Sequence, residues 1–224
     1  ETGLMKYYSA NQLGEVQLAS SAFGQAMAIT PLQMCTAVAA AVNGGYLVTP
    51  HVVDKITDTN GNVVEEIGTN IRRQVISEST SDVIRQMMEY EVGNGTGGGK
   101  NAYVSGYRIG GKSGTSEQLN MHRRADGDYK KVASFAAVLP ADDPEILVYV
   151  MLDDPNNART DYSSILAAPV AGNIISEVAP YLGIATDGED RSQTTVTVPN
   201  LISTEWSNAQ VQLNIKGLKH QLME

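Results

Sequence analysis

Lys112-Ser113-Gly114-Thr115 is the segment whose residue types can do chemistry, with an amine and two hydroxyls set around a glycine. In extended backbone, Lys112 and Gly114 face opposite to Ser113 and Thr115, so backbone groups must serve part of any site built here. Gly106 to Ser113 also fits the phosphate-loop pattern G-x-x-x-x-G-K-[ST], and residues 146–152, ending at Asp153, could stand for its Mg²⁺-holding partner. A phosphate loop feeds a helix whose first N–H groups face the phosphates. Here Gly114-Thr115-Ser116-Glu117-Gln118 and a polar loop follow, and residues 101–105 are too short and polar for a buried parallel strand. That context argues against nucleotide binding. No serine is followed three residues later by lysine, so the S-x-x-K nucleophile pattern is absent. His51, His122 and His220 lack metal-ligand spacing, and Asp142-Asp143 and Asp153-Asp154 read as turn and strand-end carboxylates.

The elements that must hold this segment can be read around it. Residues 108–118 are expected as an extended strand, followed by a polar loop at 119–130. Residues 133–139 and 146–152 are apolar strands joined by the turn Pro140-Ala141-Asp142-Asp143-Pro144, so they should pair antiparallel. The strand over 110–117 should pair antiparallel with 133–139. Upstream, Thr30, Pro31 and Gln33 form a helix start with a capping box. Residues 32–42 are apolar on nearly every face, which predicts a buried helix, and Gly44-Gly45 ends it. Tyr46-Leu47-Val48, His51-Val52-Val53 and Val63-Val64 read as strands, the last after an Asn60-Gly61 hairpin turn. A second helix should start near 77–79 and run to about Glu91, with Val83, Ile84, Met87 and Met88 as its apolar face. Residues 93–100 read as a flexible loop. A last helix spans 163–182, anchored by Ile165, Leu166, Ile174, Ile175 and Val178.

The chain has 224 residues, 42% of them apolar, enough for one large domain or one domain and a small one. A net charge of −9 argues against nucleic acid as partner, because phosphate binding needs clustered Lys and Arg. Cys35 is the only cysteine, so no intrachain disulfide forms, and its apolar helical setting reads as core packing. No run approaches the ~20 apolar residues of a membrane span, and no signal peptide is visible. Both ends read as cut from something longer. Residues 185–194 are polar and acidic and read as a linker. From Thr195 the character changes. Val196-Thr197-Val198-Pro199-Asn200 is a short β segment, and residues 205–213 form an amphipathic helix with Trp206, Ala209 and Leu213 on one side.

Taken together, these blocks resemble the class B penicillin-binding proteins, peptidoglycan D,D-transpeptidases of division, elongation or sporulation. Ser21-Ala22-Phe23-Gly24-Gln25, Thr30-Pro31-Leu32-Gln33-Met34, Asn43-Gly44-Gly45 and Pro50-His51-Val52-Val53 occur in family order. Gly95-Thr96-Gly97 and Asn101-Ala102-Tyr103 then lead to the closest block, residues 106–117, and Ser134-Phe135 and Pro140-Ala141-Asp142-Asp143-Pro144 complete the likeness. It covers about residues 1–182. Residues 195–224 look like the first half of a PASTA module, through Val198-Pro199-Asn200 and the helix carrying Ala209 and Leu213. Ser9-Ala10-Asn11 matches the family's S-x-N signature, but it lies only 15 residues before Gly24, so it reads as surface chain.

The resemblance implies an α/β fold, the penicillin-binding/serine β-lactamase-like sandwich: an antiparallel sheet flanked by helices, incomplete here. It divides the chain into a C-terminal part of a transpeptidase domain (1–184), a linker (185–194) and a partial PASTA domain (195–224). It implies serine acyl transfer on the D-Ala-D-Ala ends of peptidoglycan stem peptides, and β-lactam binding, with nucleophile and base in an S-x-x-K segment outside this chain. Lys112 would bring positive charge to the cleft. Ser113 and Thr115 hydroxyls would hold the ligand carboxylate, Gly114 would let substrate backbone approach, and the Thr115 N–H would form half of the oxyanion hole. No metal or organic cofactor is implied. The missing N-terminal part of the same protein would be the structural partner, anchoring it at the outer face of the bacterial membrane. A β-lactam-sensing or hydrolysing relative is the alternative, less compatible with the PASTA-like tail.

Overall fold

A computed structural model describes residues 9–25, 27–94, 97–118, 124, 127–155 and 162–187, with 201, 202, 206, 209 and 213 singly. The chain runs through helices α1 (Glu15–Ala22) and α2 (Pro31–Val42), and short strands β1 (Tyr46–Val48), β2 (Lys55–Thr57), β3 (Val63–Glu66) and β4 (Ile71–Gln74). Helix α3 (Glu78–Gly93) and a 3-10 turn (Gly98–Ala102) lead to strands β5 (Gly110–Glu117), β6 (Lys131–Leu139) and β7 (Ile146–Asp153), then helices α4 (Ser163–Leu166) and α5 (Ala168–Leu182).

β5, β6 and β7 form an antiparallel sheet in that order, with Lys112 opposite Ala136 and Phe135 between Ser113 and Val150. Alternation along the strands sorts the residues onto two faces. Gly111, Ser113 and Thr115 share a face with Ala133, Phe135 and Ala137 and with Val148, Val150 and Leu152. That face holds the main core, where Phe135, Ala137 and Leu139 pack with Ala171, Ile175 and Ala179 of α5. Val138 on the other face packs with Val42 of α2 and Met88 of α3. Helices thus flank both faces, as expected.

The helices differ from expectation in which residues they bury. α2 has its Thr30 cap and capping box, but only Ala40 and Val42 are buried and Leu32 is exposed. Among the described elements, α3, β1 and β7 pack against it. α3 starts after Ser77, whose hydroxyl accepts the Thr80 N–H at 3.2 Å. Its inward line is Ser81, Met88 and Val92, while Val83 and Met87 are exposed. Ser81 replaces an apolar residue because it bridges to α2: its hydroxyl donates to the Ala41 carbonyl at 2.8 Å and accepts the Gly44 N–H at 3.0 Å.

The final helix breaks at Ala167 and buries Ala168, Ala171, Gly172, Ile175 and Ala179, with Ile165 and Ile174 exposed. Residues 163–182 are long and apolar enough to cross a membrane by length and composition, contrary to the reading that no run is, but their small-residue face packs on β6, β7 and the 3-10 turn. His51-Val52-Val53 is not a strand, and β1 pairs with β4 instead. β2 and β3 form the expected hairpin, with Gly61 at positive φ in its turn. The glycine stretch read as flexible, 93–100, runs into the 3-10 turn, in which Gly99 and Ala102 are buried. After α5, Ile184 is buried and the Asp187 N–H donates to the Gly106 carbonyl at 2.8 Å, so the chain stays on the body to residue 187. Most of the segment read as PASTA-like lies outside the described residues, although Trp206, Ala209 and Leu213 are helical.

Candidate active site

β5 carries two buried glycines at its start, and extended pairing with β6 runs unbroken over its eight residues. The Gln118 N–H donates to the Lys130 carbonyl at 2.7 Å and continues the ladder. Hydrogen-bonded pairs alternate in an antiparallel ladder. Positions 112, 114 and 116 therefore direct their backbone groups at β6, and 113 and 115 direct theirs outward. Among the described residues no strand pairs with this outer edge. The Ser113 carbonyl and the Thr115 N–H therefore point away from β6, on the side that no described strand pairs with. The Lys112 ammonium donates to the Ser113 carbonyl at 2.7 Å, which draws its charge over the same edge.

The two hydroxyls differ. Ser113 is half-buried and its hydroxyl has no hydrogen-bond partner among the described residues. The Thr115 hydroxyl donates to Ser163 Oγ at 2.9 Å, and the Ser163 N–H donates back to Thr115 Oγ1 at 3.4 Å. Gly114 is exposed, and a Cβ there would lie 3.0 Å from Ser134 Oγ, whose hydroxyl donates to the Gly114 carbonyl at 3.2 Å.

Charged groups brace both ends of the strand. Arg108, just before β5, forks onto the two Glu89 oxygens at 2.6 and 2.9 Å and also pairs with Asp142. Its pKa is raised, chiefly by the hydrogen bond to Glu89. At the far end Gln118 bonds Asp153. Arg124 Nε donates to Asp154 at 2.7 Å, and Lys130 lies 3.4 Å from the same carboxylate. Asp154 is held below its ordinary pKa of 3.8, first by the hydrogen bond from Arg124.

Lys112, Ser113, Gly114 and Thr115 thus meet on one free strand edge. Ser9 does not join them. It is exposed, and its hydroxyl bonds Asn11 and Gln12 in its own turn. No helix starts at Lys112, which removes the phosphate-loop reading on structural grounds. A cavity of about 310 Å³ lies between the end of α3 and segment 103–109, and none of residues 112–115 lines it. Sequence reasoning missed Ser163. It lies 48 residues from Thr115, and no spacing rule links the two.

Comparison with known proteins gives the family and the fold. The family model of the penicillin binding protein transpeptidase domain matches residues 2–176. The chain is 37% identical to stage V sporulation protein D of Bacillus subtilis over 96% of this chain and 34% of that protein. It is 35% identical to the probable peptidoglycan D,D-transpeptidase FtsI of Caulobacter vibrioides over 75% of this chain and 28% of that one. Among solved structures, penicillin binding protein 3 of Mycobacterium tuberculosis, complexed with ampicillin, superposes with a TM-score of 0.70 at 26% identity, covering 84% of this chain and 43% of the other. The chain spans about a third of the length of the curated relatives it matches. With a free β5 edge carrying Lys112 to Thr115, helices on both sheet faces and a family match over 2–176, this chain belongs to the penicillin-binding protein transpeptidase domain family.

Proposed function

We propose that this chain supplies one wall of the active site of a serine-type peptidoglycan D,D-transpeptidase, which cross-links stem peptides through their D-Ala-D-Ala ends and is acylated by β-lactams. The observation that carries the reading is the free edge of β5, where the Thr115 N–H points outward beside the Lys112 ammonium. An acyl-transfer site needs a nucleophile, a base and donors for the developing oxyanion. The Thr115 N–H is one such donor. Ser113 and Thr115 present hydroxyls for the ligand carboxylate, Lys112 adds positive charge, and Gly114 keeps the edge open to substrate backbone. The nucleophile and base lie in a part of the parent protein outside these residues, because no serine here has the S-x-x-K spacing. On this reading the site works at the outer face of the bacterial membrane, and residues 195–224 contribute part of a PASTA module. The family match and the names of the relatives support the reaction class.

Thr115→Val in the full-length parent tests the reading. The variant keeps the shape and the backbone N–H but removes a hydroxyl donor to a carboxylate. Such a bond contributes about 1.5–3 kcal/mol. Acylation by benzylpenicillin, measured well below the thermal midpoint, should slow at least about tenfold, while the midpoint itself falls modestly because the buried Ser163 hydroxyl loses its partner. An unchanged acylation rate would remove Thr115 from the site.

A further inference from the structure

We infer that Ser163 is a specificity-determining residue. It is an internal acceptor that engages the Thr115 hydroxyl, and the carboxylate of an incoming ligand must displace it. The inference rests on the role proposed above for Thr115.

Three observations carry it. The Thr115 hydroxyl has one proton to donate, and that proton is directed to Ser163 Oγ at 2.9 Å. Ser163 is only 2% exposed, and Thr115 is the one side-chain partner of its hydroxyl among the described residues. The Ser163 backbone is also fixed. Its carbonyl accepts the Ala167 N–H at 2.7 Å, and the next residue's carbonyl accepts the Asn101 amide at 2.7 Å. Gly98 closes the same joint, since a Cβ there would lie 2.1 Å from the Ser164 Cβ. The acceptor is therefore built into the joint between α4 and the 3-10 turn.

The chemical consequence is an exchange of acceptors. The proton stays on Thr115, and its hydrogen bond passes from a neutral hydroxyl to a carboxylate. The charged acceptor makes the stronger bond, so binding remains favourable but is weakened by the loss of the internal bond. Ser113, which has no such internal partner, donates without this cost. Removing the Ser163 hydroxyl frees the Thr115 proton, while the backbone N–H at 163 still orients the Thr115 oxygen.

The test is the second-order acylation rate of the full-length parent protein with benzylpenicillin and with its methyl ester, which lacks the anionic carboxylate. Ser163→Ala should raise the rate with the free acid by roughly 3- to 10-fold, the size of one neutral hydrogen bond, and leave the ester rate unchanged. In a Thr115→Val background the same change should have no effect on either. A gain of this kind cannot arise from partial misfolding. An unchanged or lower free-acid rate in Ser163→Ala, or an equal change with acid and ester, would overturn the inference. Thr115→Val alone separates the two layers. If it does not slow acylation, the underlying reading fails. If it slows acylation but Ser163→Ala brings no gain, only the competition fails.

Discussion

A Cβ on Gly111 would lie 2.5 Å from Cζ of Phe135 and 3.0 Å from Cγ2 of Val92. Both neighbours are buried core atoms, so neither can move away freely. Gly111→Ala should therefore destabilise the domain by about 1–3 kcal/mol, the usual cost of overpacking, and show as a lowered thermal midpoint. In the sequence Gly111 is a pattern glycine that serves a phosphate loop and a strand edge equally well. Only the packed Phe135 ring shows why the position has no side chain. Asp154 offers a second residue-scale test. Its pKa is lowered in the folded state, so its pairing with Arg124 and Lys130 stabilises above the ordinary value of 3.8 and is lost as pH falls through the lowered value. The ¹³C shift of its carboxyl should titrate below 3.8, and Arg124→Gln should move the midpoint up towards 3.8. A midpoint indifferent to Arg124 would contradict the assigned cause.

At the scale of elements, α5 is held by small residues. A Cβ on Gly172 would sit 3.0 Å from the Ala102 carbonyl oxygen, with other Ala102 backbone atoms at 3.2 and 3.3 Å. Alanine at 172 trades better helix propensity against this tight contact, whereas the branches of valine must push the helix off the 3-10 turn. Gly172→Val should cost about 2 kcal/mol or more. It should also slow acylation in the parent, because the same turn fixes α4 through Asn101 and Ser164. Measuring unfolding and acylation together checks both halves. The sequence made the sheet legible, since apolar runs at 133–139 and 146–152 with a proline-bounded turn leave few other arrangements. The cap of α2 was legible for the same local reason. Which faces the helices bury was not. α3 turns Ser81 inward to satisfy Ala41 and Gly44, and α5 turns alanines inward because the contact is close. Hydrophobic periodicity assigns the core to large side chains and does not register backbone approach or a partner about 40 residues away.

For the molecule as a whole, the question is whether the chain can react as well as recognise. The β5 edge gathers a cation, two hydroxyls and an outward N–H, which on the proposed reading serve to hold a carboxylate and supply one donor to a carbonyl. Acylation also needs a hydroxyl whose proton has somewhere to go. Thr115 donates to Ser163, itself a neutral hydroxyl and no base at neutral pH. The Lys112 ammonium is a donor, turned to the Ser113 carbonyl, and Ser9 bonds only within its own turn. The 224-residue chain alone should therefore bind penicillin weakly at most and form no covalent adduct. In the parent protein the penicilloyl label should map to a serine outside these residues. Intact-mass spectrometry distinguishes adduct from complex, and peptide mapping of the labelled parent locates the bond. A mass gain of one penicillin on this chain, or a label within it on the parent, would show that one of these hydroxyls has a base that the geometry does not reveal. Ser9, whose turn carries the S-x-N pattern, would be the first to substitute with alanine.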